Sequence, residues 1–366
     1  MRVLFTAHDA YGHVLPMVGV ARALADGGHE VRVATGATLC STVASLGLSP
    51  VRAGMSDEAM VAEARRRWPE TRHEPPGSWA PRMFSDIAAP AMIDDLAPII
   101  ASWRPDLLIR EEGEHGGPVA AAAAGVTWLT HGWGSPLAPK ADDLYGAGVL
   151  DPCPASLYGE EGRPSGARPV RVTTTATSAD RRAPRLTSER PLAYVGFGTV
   201  PLYRDQPDLI AMVVEGLLSH GYDAVVTTGD AQLARRLTAL DPKRVRVEQW
   251  VSLPALLASC DLVVSHGGAG TVLAALAAGV PLLLLPRGAP SQERMSRACG
   301  TRGAARVIAP TAVTATKFDD AVATLTTDDR FRTAARQLAD EIAAMPGAGA
   351  AAQFLQTMPG PAPPTS

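Results

Sequence analysis

Lysine is almost missing from this chain of 366 residues: it occurs only at 140, 243 and 317, so nearly all of the positive charge is arginine. A basic surplus is missing too, with 34 Lys+Arg against 37 Asp+Glu and a formal net charge of −3. That argues against a nucleic-acid partner, which is held by a cationic excess or at least a basic run. Cysteine is sparse and scattered (Cys40, Cys153, Cys260, Cys299), with no C-x-x-C pair. The spacing fits neither a disulfide framework nor a zinc site and suits a reducing compartment. The longest apolar run, around AGVPLLLLP, is broken by Pro281 and Pro286 and is too short for a bilayer span. The opening MRVLFTAHDAYGH turns polar too early for a signal-peptide core. A soluble cytoplasmic globular protein is expected, with no membrane and no nucleic-acid partner, and the length suggests two domains.

Several chemical signatures are absent as well. No G-x-x-x-x-G-K-[ST] and no G-x-G-x-x-G occur, which argues against P-loop and ordinary dinucleotide binding. The simplest hydrolase and zinc-protease motifs, G-x-S-x-G and H-E-x-x-H, are missing. There is no D-x-D to clamp a diphosphate through a metal ion.

What is present is a strand–helix rhythm. Arg2 to Ala7 reads as a strand, Val14 to Asp26 as an amphipathic helix stopped by Gly27-Gly28, and Glu30 to Thr35 as a second strand. A third short strand is expected at 49–52. This is a βαβ unit of a parallel sheet. Residues 55–100 are Pro-rich helical fragments; the rhythm then resumes with a strand at 106–110, a helix at 119–124 and a strand at 126–130. Residues 132–168 read as Gly- and Pro-rich surface loop, and 175–190 as linker. Beyond the linker, strands are expected at 192–197, 222–227, 244–248, 261–265, 281–285 and 304–308. Helices are expected at 206–219, 230–239, 270–278, 292–300 and 313–325, followed by a helical tail over 328–356. The domain reading is therefore 1–178, a linker at 179–190, 191–345, and a C-terminal helix with a disordered tail at 346–366.

The strongest motif is Ser265-His266-Gly267-Gly268-Ala269-Gly270-Thr271, which follows an apolar strand and opens a helix. Small residues let backbone N–H groups approach a phosphate, and the helix N-terminus adds partial positive charge. His266 can donate a ring N–H and Thr271 a hydroxyl. A second loop, Gly196-Phe197-Gly198-Thr199, ends the first strand of the same half and would converge on the same crevice. Trp250, at another strand end, offers a flat face to a nucleobase. In the first half, His13 sits in Gly12-His13-Val14-Leu15-Pro16 at the mouth of the opening strand, with Glu111 and Glu112 at the end of the strand over 106–110. A histidine held by a carboxylate is a general-base pair for a hydroxyl proton, and either glutamate could hold it.

Together these segments resemble the inverting glycosyltransferases of GT-B fold in family GT1, in particular the bacterial branch that decorates antibiotics and other natural products. The resemblance runs from strand-G-H-x-x-P through Pro105-Asp106 to W-V-x-L-x-x-L-L and H-G-G-x-G-T. It implies an α/β architecture of two Rossmann-like, doubly wound parallel-sheet domains facing a central cleft. It also implies a dTDP- or UDP-sugar as co-substrate, a small natural-product acceptor, and neither metal nor cofactor; a homodimer is left open. His13 matches the base and Glu111 its acidic partner. Gly198, Thr199, His266, Gly267, Gly268, Ala269, Gly270 and Thr271 match diphosphate contacts, and Trp250 and Val251 the nucleobase positions. Ser291 and Gln292 fall nearest the donor-sugar contact, and Trp79, Met83, Phe84, His131 and Trp133 are candidate acceptor walls.

Three departures bear on the resemblance. The partner is Glu where Asp is commoner, Ser252-Leu253 replaces Pro-Gln, and Ser291 stands where a carboxylate before Gln is usual. Loss of that acceptor for sugar hydroxyls points to a deoxy or modified sugar. Two other readings share the cradle: a GT-B-fold nucleotide-sugar epimerase and a non-catalytic nucleotide-sugar-binding helper. The variable region 55–100 and the intact His13 favour transfer.

Overall fold

A computed structural model describes residues 1–70, 74, 77–138, 145–172, 189–198 and 206–358. The described strands form two sheets, each parallel throughout. The first runs β3-β2-β1-β4-β5-β6-β7 and the second β10-β9-β8-β11-β12-β13. In the first, β1 (Arg2–Thr6) lies between β2 (Glu30–Thr35) and β4 (Leu107–Glu111). Outward from β2 comes β3 (Ser49–Arg52), and outward from β4 come β5 (Thr127–His131), β6 (Val149–Asp151) and β7 (Ala167–Pro169). In the second, β8 (Leu192–Gly196) lies between β9 (Asp223–Thr227) and β11 (Leu262–Ser265). β10 (Val245–Glu248) flanks β9, and β12 (Leu282–Leu284) and β13 (Ala305–Val307) extend from β11.

Strands covered by helices on both faces must be apolar on both, and β4, β8 and β11 are buried at every position. Each sheet has a core on either side. Val3, Phe5, Met17 and Leu24 lie on one face of the first sheet, with Leu4, Leu96, Ile100 and Leu108 on the other. In both sheets the strand order reverses direction at a single place, between β1 and β4 and between β8 and β11. Loops leaving the carboxyl ends of such a strand pair diverge and leave a crevice, where ligands of open α/β sheets bind.

The structure alters three expectations. Residues 132–168 are not simply surface loop: β6 and β7 extend the first sheet, and a 3-10 segment, Ala155–Glu161, docks on the second half. Its Ser156 N–H donates to Glu341 Oε1 at 3.0 Å, while Cys153 and Leu157 join the second half's core. The Pro-rich stretch carries a 15-residue helix, Ala89–Trp103, continuous with a π turn at Phe84–Ala88. The helical tail is two helices, Arg330–Ala344 and Ala348–Gln356. The second of these crosses back to the first half and packs Ala351, Ala352 and Leu355 into its core. Most of the linker expected at 179–190 lies outside the described residues.

Candidate active site

The two crevices are brought together by the helices that leave them. Tyr11–Asp26, which follows β1 and carries His13, touches Ala269–Ala277, which follows β11 and its glycine loop. Further contacts pin the halves across the cleft. Arg294 Nε donates to Pro136 O at 2.9 Å, and Gly77 N–H donates to Arg287 O at 2.8 Å.

On the first side, His13 Nδ1 lies 2.8 Å from Glu111 Oε1. Glu111 ends β4 and is fully buried, and its other oxygen accepts Gly113 N–H at 2.6 Å and the Trp133 indole N–H at 2.5 Å. Burial alone would raise this carboxyl, but the facing His13 charge and hydrogen bond, with His8 and the Gly113 N–H, outweigh it and hold it down to about 2. The ionised carboxylate only accepts, so Nδ1 carries the proton and Nε2 is left with its lone pair. For His13, burial opposes the charged form, yet the Glu111 charge and hydrogen bond win and raise its pKa above the ordinary value. A neutral imidazole backed by a fixed carboxylate can take a proton and tolerate the charge.

Glu112 has a different environment: it faces Arg294 Nη2 at 3.5 Å and accepts Trp133 N–H at 3.3 Å. Burial pushes it up to about 7 against the pull of Arg294. Of the two glutamates, the one paired with His13 is therefore Glu111.

The sequence reasoning missed two neighbours of this pair. His8 donates Nε2–H to Gly113 O at 2.9 Å, stacks on Phe84 with ring centroids 4.6 Å apart, and is pushed down to about 4 by burial. Its five-residue spacing from His13 matches neither a strand nor a helix period, so only the turn between them reveals the proximity. Asp57, buried at the start of the helix Asp57–Arg67, is pushed up to about 6 by burial although His13 pulls it down.

Of the expected acceptor walls, Phe84 and Trp133 present ring edges to His13, with centroids at 5.6 and 5.1 Å. His131 is buried, with Nδ1–H given to Gly132 O at 2.8 Å and Nε2 unpartnered. Trp79 and Met83 are buried. They are packed with Met60, Val61, Ala64, Trp68 and Ile87 into a satellite core under the Pro-rich segment, because helices there need an apolar face to fold against.

On the second side, the glycine loops close on one imidazole. Gly198 has φ +79°, and a Cβ there would lie 2.9 Å from His266 Cε1; a Cβ on Gly268 would lie 2.7 Å from it. A side chain at either place would displace the imidazole, and at 198 the left-handed backbone also favours glycine. Gly267, with φ +85°, turns the chain into the helix Ala269–Ala277, whose first N–H groups, from Ala269, Gly270 and Thr271, have no partner within the helix. His266 is buried and pushed down to about 4, chiefly by burial, against a hydrogen bond with the Gly196 backbone. Trp250 is 44% exposed and Val251 beside it is buried. Gln292 is buried and its Oε1 accepts Arg287 N–H at 2.9 Å, so its carbonyl is committed to its own loop. Ser291, half-buried, precedes it at the start of the helix Pro290–Thr301. Thr199 lies outside the described residues. Among the described residues, no group of three His, Cys, Asp or Glu side chains is arranged to hold a metal ion, and no helix is long and apolar enough to cross a membrane.

Residues 22–160 and 217–358 match the N- and C-terminal domains of the family described as erythromycin biosynthesis protein CIII-like. The elloramycin glycosyltransferase ElmGT of Streptomyces olivaceus is 30% identical over 98% of this chain and 97% of its own length. The chain belongs to this family of natural-product glycosyltransferases. The aclacinomycin-T 2-deoxy-L-fucose transferase of Streptomyces galilaeus is 27% identical, covering 78% of this chain and 79% of its own. The spinosyn rhamnosyltransferase SpnG, solved with spinosyn aglycone, superposes with a TM-score of 0.77 at 25% identity over 98% of this glycosyltransferase and all of that chain. The GT-B architecture is thus shared along the length of the molecule.

Proposed function

We propose that this glycosyltransferase moves a deoxy or otherwise modified sugar from a dTDP- or UDP-sugar to a hydroxyl of a small natural-product acceptor, inverting the anomeric centre and using no metal. The observation that carries the reading is the His13–Glu111 pair at 2.8 Å, with the second carboxylate oxygen fixed by the Gly113 and Trp133 N–H groups. In this reading His13 Nε2 removes the acceptor's hydroxyl proton while Glu111 stabilises the imidazolium. The oxygen attacks the anomeric carbon in line with the departing diphosphate. Charge developing on that leaving group is received by amides of residues 267–271, a preorganised set of dipoles. Gly198, Thr199, His266 and Thr271 complete the diphosphate contacts, Trp250 stacks on the base, and Val251 supports it. Phe84, Trp133 and His131 are the proposed acceptor contacts. Ser291, which offers a hydroxyl where a carboxylate would bind sugar hydroxyls more strongly, supports a sugar with fewer of them. The 2-deoxy-L-fucose transferase among the relatives supports the same choice.

Incubation with a panel of nucleotide sugars, with and without polyketide-type acceptors, tests the reading. Nucleoside diphosphate released only with acceptor, and a product of opposite anomeric configuration formed in the presence of a chelator, is the expected outcome. An altered sugar formed without acceptor would replace transfer by epimerisation, and binding without turnover would leave a helper protein.

A further inference from the structure

A diphosphate cradle made only of amides and a histidine lacks a full positive charge if that histidine is neutral. His266, pushed down to about 4, is neutral near pH 7. A cation stands beside it. Arg287 lies just beyond β12, two residues past Leu285, whose N–H donates to Ser265 O at 2.8 Å, so Arg287 and His266 leave adjacent strand ends. Its Nη2 donates to Gln206 Oε1, at the start of the helix Pro207–Ser219 that follows β8. In the sheet, β11 lies between β12 and β8. The guanidinium is near enough to His266 for its charge to add to burial in lowering that imidazole's pKa.

Three features make this arginine unusual. Its backbone is held on both sides: N–H to Gln292 Oε1 at 2.9 Å, and carbonyl from Gly77 N–H at 2.8 Å, so the arm starts from a fixed point. Gly77 is itself essential to that clamp, because a Cβ there would fall 2.3 Å from Ala289 N. No carboxylate lies within ion-pair distance of the guanidinium among the described residues, and its Nε is buried without a partner. A half-buried cation with an unused donor and, among the described residues, no counter-ion is costly in the free protein. An anionic ligand arriving at the cradle removes that cost, and the guanidinium fork suits phosphate oxygens.

We infer that Arg287 is the cationic diphosphate-binding residue of this site, placing a fixed positive charge beside the glycine cradle. The inference rests on the nucleotide-sugar reading above and adds to it the source of the charge. It also accounts for Gln292, whose side chain braces the loop that presents the arginine.

The test is calorimetric titration of the full chain with TDP, UDP, thymidine, uridine and inorganic pyrophosphate, for wild type, Arg287→Gln and Arg287→Lys. Arg287→Gln is expected to weaken both diphosphates and pyrophosphate by about tenfold or more while leaving the nucleosides unchanged. Arg287→Lys should recover part of the loss. The ligand-free thermal midpoint of Arg287→Gln should equal or exceed that of wild type, because an uncompensated charge has been removed. Diphosphate affinity within twofold of wild type would overturn the inference. So would equal losses for nucleosides and diphosphates, or a large fall in the ligand-free midpoint, either of which would make Arg287 a scaffold residue. Pyrophosphate separates the two readings: Arg287-dependent pyrophosphate binding without nucleotide binding would sink the nucleotide-sugar assignment alone, and no binding to any probe would sink both.

Discussion

The two sides of the cleft each hold a histidine beyond the carboxyl end of a parallel strand, His13 partly buried and His266 buried, and they give it opposite properties. His13 is raised above its ordinary pKa, while His266 falls to about 4. Both lose solvent, and desolvation lowers both. The difference is the partner: an ionised carboxylate with an anchored second oxygen for His13, and backbone dipoles with a nearby guanidinium for His266. A buried histidine's protonation is set by the charge it meets rather than by how deep it lies. One side of the cleft is thereby suited to moving a proton and the other to holding a ligand without exchanging one.

Breaking the charged side should have the largest effect. His13→Ala is expected to lower kcat by about 10²–10⁴ with donor and acceptor saturating, while TDP binding by calorimetry stays as in wild type. Transfer at the wild-type rate would disprove His13 as the base. Glu111→Gln keeps the shape but removes the charge, and should cost roughly 10- to 100-fold in kcat. It should also move the pH profile. Activity needs neutral His13, so the rate rises as pH increases through the His13 pKa, with a midpoint above 6.5 in wild type. Removing the carboxylate lowers that pKa, so the acid limb must shift to lower pH. A limb that does not move would rule out this electrostatic account.

The glycine side should respond more modestly. Gly268→Ala would place a Cβ 2.7 Å from the His266 ring, and a several-fold increase in donor KM with little change in kcat is expected (roughly 1 kcal/mol of lost binding). A fall in kcat with unchanged KM would argue that the loop acts on the chemical step alone. The smallest effect expected is none. Because His266 takes up a proton only near pH 4, donor KM should stay flat between pH 6 and 8. A donor KM that tracks a group titrating near 6.5 would erase the contrast between the two histidines.

Much of this was legible in the sequence, for identifiable reasons. The βαβ rhythm is carried by doubly buried strands such as Leu192–Gly196 and Leu262–Ser265, which read as apolar runs. The loop at 265–271 declared itself because so many small residues at a strand end have few other uses. Val149–Asp151 and Ala167–Pro169 did not stand out, since three residues have no period and these two lie among Gly- and Pro-rich flanks. The packing of Trp79 and Met83 in a satellite core was not legible, because a helix facing such a core and one facing a cleft have the same apolar stripe. Glu111 and Glu112 could not be separated until the chain's turn after β4 sent one toward His13 and the other toward Arg294. Arg287 gave no signal at all, because an arginine in a loop is ordinarily solvated, and only the structure shows its clamped backbone and its buried, unpartnered Nε.

The helix Ala348–Gln356, which crosses back to bury Ala351, Ala352 and Leu355 beside Met17 and Leu24, bears on the order of assembly. A ribosome releases the first sheet long before it releases the segment that finishes that sheet's core. The half synthesised first is therefore completed last, and until then its helix Tyr11–Asp26 keeps an uncovered apolar stripe. Assembly of this molecule cannot proceed strictly from the N-terminus onward. Ribosome-bound chains stopped short of residue 348 should be protease-sensitive around that helix even though every residue of the first sheet has already emerged.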